Sequence, residues 1–149
     1  MRRMAFGVAV VLLQAFAVGP IAQSRQPAVE VYKSPTCGCC SKWIDHLKSH
    51  GFAAKSIDTD KLDEIKASRG IPQKARSCHT AIVGGYVVEG HVPAADIQRL
   101  LKERPAVVGI AVPGMPIGSP GMEVPGVKPQ SFDVIAFTKD GSTRVFASR

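Results

Sequence analysis

Residues 28–33 (AVEVYK) alternate between apolar and polar and are rich in β-branched side chains, which predicts a strand. Ser34-Pro35-Thr36 interrupts it. Over residues 39–50 the period becomes helical: Trp43, Ile44 and Leu47 share one face, and Gly51 stands at the C-terminal stop. Residues 52–57 predict a second strand. Asp58, Thr59 or Asp60 is available to cap a second helix over residues 61–69, closed by Gly70 and Pro72. Residues 80–83 and 86–88 flank Gly84-Gly85, a two-residue hairpin turn. Residues 93–103 predict a third helix, with Pro93 in its first turn, Ile97, Leu100 and Leu101 on its apolar face, and Pro105 ending it.

The order β-α-β-α-β-β-α belongs to an α/β domain with helices on both faces of one sheet. Thioredoxin and glutaredoxin folds have this order, so the expected class is thioredoxin-like, with a cysteine motif between first strand and first helix. Residues 105–129 hold six prolines and five glycines, too many for a regular element, and predict a surface loop carrying Met115 and Met122. Residues 132–138 and 143–147 surround Asp140-Gly141 and predict a closing hairpin.

The N-terminus reads as a targeting segment. Arg2 and Arg3 precede a run over residues 5–18 that is apolar apart from Gln14, and polar residues 23–26 follow. A basic head and an apolar stretch too short to span a bilayer comfortably predict a secretory signal. Cleavage after Ala17 or Ala22 fits, and we take residues 1–22 as the signal, 28–104 as the domain core and 105–149 as its extension. Losing Arg2 and Arg3 takes the net charge from +7 to +5. No run of five basic residues occurs and aromatics make up only 6%, so neither nucleic-acid binding nor stable membrane insertion is expected.

Export changes how the four cysteines read. Cys37-Gly38-Cys39-Cys40 packs three thiols into the point where strand turns into helix. Free backbone N–H groups and the helix dipole favour thiolate there. Cys78 lies just before the third strand. Counting back from Gly85 puts His79 where glutaredoxin-type chains carry a cis proline facing the cysteine motif, so Cys78 should face the CGCC turn. Two disulfides are one outcome, but adjacent Cys39 and Cys40 would form a strained ring. A zinc site is another, but zinc usually takes two separated cysteine pairs. Cu(I) suits crowded thiolates better, because it accepts two or three soft ligands and lets one sulfur bridge two ions.

Three segments, SPTCGCCSKWIDHLKSHGF, SCHTAIVGGYVVEGHVPAADIQRLL and GIAVPGMPIGSPGMEVPG, resemble a bacterial family of periplasmic metal-binding proteins. That family was long known only as a domain of unknown function and includes the CopG-like copper-resistance proteins. The resemblance implies a thioredoxin-like fold, copper as the metal, a role in copper tolerance, and Cys37, Cys39, Cys40 and Cys78 as the family's cysteines. Partners would be the metal ion and other periplasmic copper-handling proteins.

Beyond the cysteines, Met115 and Met122 lie on no periodic apolar face and offer thioethers to a copper ion. His91, just before Pro93, offers an imidazole. His79 should turn away from Cys78 if both lie in the strand. His46 and His50 stand too far along the first helix to share the site and read as a solvated face. The competing reading is a thiol-disulfide oxidoreductase built on Cys37 and Cys40, a C-x-x-C at a helix start. Cys39 and the absence of the proline argue against it.

Overall fold

The computed structural model describes residues 28–149. The proposed signal segment and both cleavage positions lie outside these residues.

Strand β1 (Ala28–Lys33), helix α1 (Gly38–Ser49), β2 (Ala53–Asp58), α2 (Leu62–Ser68), β3 (His79–Val83), β4 (Tyr86–Glu89) and α3 (Ala94–Glu103) follow the predicted order. A short 3-10 turn (Gln73–Ala75) intervenes before β3. β5 (Gly109–Ala111), β6 (Asp133–Phe137) and β7 (Thr143–Ser148) complete a seven-stranded mixed sheet in the order β2-β1-β3-β4-β5-β6-β7. β1 runs parallel to β2 and antiparallel to β3, and β3 antiparallel to β4, an arrangement compatible with a thioredoxin-like core. Among the described residues no helix is long and apolar enough to cross a membrane.

Alternation along the strands divides the core between the two faces. Val29, Val31, Ala81, Val83, Val88 and Ile110 pack with Trp43, Ile44 and Leu47 of α1 and with Ile97 and Leu100 of α3. Val87, Ala111 and Phe137 point the other way and pack with Ile71 and Ala75, the segment after α2. Trp43 is fully buried, and its indole N–H donates to the Val92 carbonyl at 2.8 Å, which ties α1 to the entry of α3. Full burial of a large apolar side chain contributes on the order of 1.5–3 kcal/mol, so this face anchors α1.

Two local expectations need correction. None of Asp58, Thr59 and Asp60 caps α2, whose N-cap is Lys61; the Thr59 hydroxyl accepts the Lys61 N–H at 3.0 Å, a turn just ahead of the helix. The stretch 105–129 is not wholly irregular, because Gly109–Ala111 forms β5, parallel to β4 and antiparallel to β6. The glycine that counted against a strand is what admits it. A Cβ on Gly109 would collide with the Val87 carbonyl, so only glycine lets the two backbones approach.

Gly109→Ala is therefore expected to lower the unfolding free energy by about 1–3 kcal/mol through overpacking. Urea unfolding reads this directly, and an unchanged midpoint would mean that β5 is not held against β4.

Candidate metal centre

The site lies at one end of the sheet, where the chain leaves β1 and enters β3. Lys33 and His79 are register partners across that antiparallel pair. The turn after Lys33 and the residue before His79 are therefore neighbours in space. Cys37 closes the turn, its N–H donating to Ser34 O at 3.1 Å, and takes the N-cap position of α1 with an extended backbone. No acidic residue stands in the first turn of α1, so the positive end of its dipole faces the sulfurs uncompensated.

The four cysteine sulfurs lie within 4.8 Å of one another. Two segments that are remote in sequence supply them, as the strand order requires. Cys40 is buried, whereas Cys37, Cys39 and Cys78 are half-buried. One feature departs from four free thiolates: Cys37 and Cys40 are joined in a disulfide, with Cα atoms 5.4 Å apart. Residues i and i+3 at the start of a helix meet on one side, which brings this pair together. The adjacent pair Cys39 and Cys40 is not bonded, in keeping with the strain expected there. Cys39 and Cys78 are free, and Cys39 Sγ is 3.5 Å from Cys37 Sγ. A disulfide sulfur is no thiolate ligand, so the full four-sulfur donor set exists only after this bond is reduced.

Imidazoles complete the surroundings of Cys78. His91 Nε2 lies 3.0 Å from Cys78 Sγ, and His91 Nδ1 lies 2.8 Å from the Pro120 carbonyl. A carbonyl only accepts, so Nδ1 carries the proton and Nε2 keeps its lone pair facing the sulfur. Metal-binding histidines are commonly oriented in this way. Burial lowers the His91 pKa and keeps the ring neutral.

His79 does not turn away from Cys78: its Nδ1 is 3.3 Å from Cys78 Sγ. β3 begins at His79, so Cys78 sits in the preceding bend and strand alternation does not separate the two. The His79 ring packs 4.3 Å from Trp43 and 5.1 Å from His91, centroid to centroid. Its pKa is lowered well below the ordinary value, first by burial, then by His91 and Lys66. Its Nε2 is a buried atom without a hydrogen-bond partner. Cys78, His79 and His91 thus form a second donor group that shares Cys78 with the first. The sequence cues to His79 were its position beside Cys78 and its place where glutaredoxin-type chains carry the proline that faces the cysteine motif.

The Cys78 thiol is pushed up to about 12, chiefly by burial and then by the neighbouring Cys39 sulfur. It stays protonated near neutral pH unless a cation takes the proton's place. A soft ion supplies that charge, and binding would release the proton. Sulfurs and neutral imidazoles are soft to borderline donors, suited to a soft metal ion rather than a hard cation.

The proline-glycine loop folds over this centre. Gly121, at φ +87°, lies so close to α1 that a Cβ would stand 2.8 Å from Cys39 O and 2.9 Å from Trp43 N. Pro120 holds His91, and Ser77 Oγ donates to Gly114 O. Met122 thus follows directly on the residue that touches α1 and is half-buried, whereas Met115, next to Gly114, is 50% exposed.

His46 and His50 stay apart from both donor groups, as expected from the helix rise. The solvated-face reading holds for His50, which is exposed, but fails for His46. His46 Nε2 accepts the Ala94 N–H at 3.1 Å and so satisfies a free donor at the start of α3. A surface cavity of about 480 Å³, lined by Arg69, Val87, Val108 and Lys139 among others, contains none of the site residues.

Comparison with known proteins accords with this geometry. A family model described as a protein of unknown function, DUF411, matches residues 75–122, the stretch from Cys78 through His91 to Met122. Two solved structures, titled copper resistance protein copG, Form 1 and Form 2, each share 43% sequence identity with the chain. Each match has a TM-score of 0.78 and covers 83% of this chain and 98% of the other. The chain belongs to the CopG-like copper-resistance family. No curated protein matches it. Membership in the CopG-like family and the sulfur-rich cluster together support a copper-related role.

The His46 contact makes a pH prediction. Burial and the nearby His50 lower the His46 pKa below 6.5, while Glu123 opposes them weakly. The folded state therefore binds this proton less readily than the unfolded one. Stability from this residue is fully present above pH 6.5 and is lost as pH falls below it. His46→Gln, which retains an acceptor but does not titrate, should flatten the decline of unfolding free energy between pH 7 and 5, read by denaturant titration at each pH. Parallel curves for variant and wild type would contradict the assignment.

Proposed function

We propose that this protein is an exported, periplasmic copper-binding protein that holds Cu(I) and so contributes to copper tolerance. The thiolates of Cys37, Cys39, Cys40 and Cys78 are the principal ligands, with the His91 imidazole beside them and the thioethers of Met115 and Met122 as auxiliary ligands in the covering loop. The observation that carries this reading is the convergence of four sulfurs within 4.8 Å, against a histidine whose free nitrogen faces one of them. Loading the full set requires two electrons and two protons to convert the Cys37–Cys40 disulfide into two thiols. A periplasmic thiol reductant is the class of partner that would supply them.

A second reading, thiol-disulfide exchange, is favoured by the Cys37–Cys40 disulfide at the start of α1. Cys39 stands against it. Its sulfur, 3.5 Å from Cys37, is placed to attack the same bond from within the motif and short-circuit exchange with a substrate.

Reduced protein in anaerobic competition with a chromogenic Cu(I) chelator should retain copper in preference to zinc. Cys78→Ser should weaken retention as much as Cys40→Ser does, because both sulfurs line one site. Stoichiometric zinc with copper excluded, or full copper content in Cys78→Ser, would sink the reading. Rapid turnover of a model disulfide by the same sample would favour the second one.

The double change Met115→Leu, Met122→Leu should preserve the fold, because the volumes are close. It should speed Cu(I) release to a chelator under stopped-flow. Equal release rates would confine the methionines to packing or partner contact.

A further inference from the structure

Directly behind the centre lies a buried ion pair that none of the chemistry above uses. Lys66 of α2 is 4% exposed, and Glu89 at the end of β4 is fully buried. Lys66 Nζ donates to Glu89 Oε1 at 2.5 Å and to Thr80 Oγ1 at 3.0 Å. The Thr80 hydroxyl donates in turn to Glu89 Oε2 at 2.6 Å. Thr80 and Glu89 are register partners across β3 and β4, so both side chains point to the face opposite Trp43 and His79. The remaining contact is the telling one: the backbone N–H of Ser77 donates to Glu89 Oε1 at 2.6 Å.

A buried ion pair is a weak device for stability, because desolvation of both charges offsets their attraction and apolar residues often serve as well. What this pair touches suggests a different use. Ser77 is followed by Cys78, and Glu89 by Gly90 and His91. One carboxylate thus grips the chain a residue before the sulfur and begins the turn that carries the imidazole. Gly90 tightens the same junction. Its N–H donates to His79 O at 3.0 Å, and a Cβ there would stand 2.5 Å from Ser77 Oγ and 2.6 Å from Val112 O. The two turns are clasped with no room to slide, and Cys78 Sγ meets His91 Nε2 at 3.0 Å.

We infer that Glu89, anchored by Lys66 from the far side of the sheet, is a positioning residue of the metal centre: it holds the Ser77 N–H, one residue ahead of Cys78, against the His91 turn and sets the sulfur–imidazole spacing. The inference rests on the copper-binding reading above and adds residues that touch no metal. Supporting groups behind a ligand typically change metal affinity by about 10–100-fold when altered.

Glu89→Gln retains shape and an acceptor but loses the charge. Near-UV circular dichroism of Trp43 establishes that the variant folds. If the unpaired Lys66 prevents folding, Lys66→Met, Glu89→Gln removes both charges and takes its place. Cu(I) affinity from chelator competition should fall about tenfold. In a Cys78→Ser background the same change should have little further effect, whereas in a Cys37→Ser background its effect should persist. Copper-free amide exchange supplies an independent readout: the Ser77 N–H should exchange faster in the variant, with the strands unchanged. Wild-type Cu(I) affinity in a folded variant, or an equal loss in the Cys78→Ser background, would overturn the positioning role. Failure of wild-type protein to retain Cu(I) would instead overturn the copper reading, and amide exchange would still decide whether Glu89 holds the turn.

Discussion

The meeting of the CGCC turn with Cys78 depends on the antiparallel register of β1 and β3. Lys33 opposite His79 sets the CGCC turn beside the bend at Cys78. A slip of one residue along β1 would turn Val29 and Val31 out of the core and carry the turn away from Cys78. Burial of those valines against Trp43 and Leu47 therefore holds the metal donors together, although none of these residues is itself a donor. Packing sets the register, and the register creates the site.

Around that register the donors are held before any metal arrives. His91 is oriented by Pro120, His79 is wedged between Trp43 and His91, and the loop backbone at Gly121 seals the first turn of α1. Burial keeps His79 and His91 neutral and raises the Cys78 thiol. The common cause is desolvation, which penalises each charged form. The centre without metal is thus a crowded, largely neutral pocket of soft donors. A soft cation would restore charge where water is excluded, and its binding would release thiol protons, so affinity would fall as pH falls. The Cys37–Cys40 disulfide adds a redox condition to this arrangement, because two of the four sulfurs are available as ligands only after reduction.

The extension beyond α3 is joined to the same sheet through β5, which lies between β4 and β6. This continuity gives the loop two fixed ends. One leaves β5 beside the Glu89 turn, where Val112 N–H donates to Glu89 O at 3.0 Å. The other returns to β6, where Phe132 and Arg149 exchange backbone hydrogen bonds at 2.9 Å. Arg149 also pairs with Asp96, buried in the first turn of α3. The covering loop is held between these points, and its glycines permit the close approach to α1 that a side chain would block.

Much of this protein was legible in its residues. The alternation of AVEVYK, the helical spacing of Trp43, Ile44 and Leu47, and the Gly84-Gly85 turn determined the element order, because period and turn chemistry are local properties. The crowding of Cys37, Cys39 and Cys40 determined a soft donor set for the same reason. Tertiary structure decided the rest. β5 was hidden because Gly109 weakens a strand in isolation and permits one only when Val87 lies against it. His79 and His46 found their roles through contacts that strand alternation and helix rise do not describe: the bend ahead of β3 and the open start of α3. The meeting of Cys78 with the CGCC turn, and the grip of Glu89 on Ser77, depend on how the sheet brings separate segments together. Local sequence sets which elements form; which side chains meet is decided by how the sheet brings their ends together.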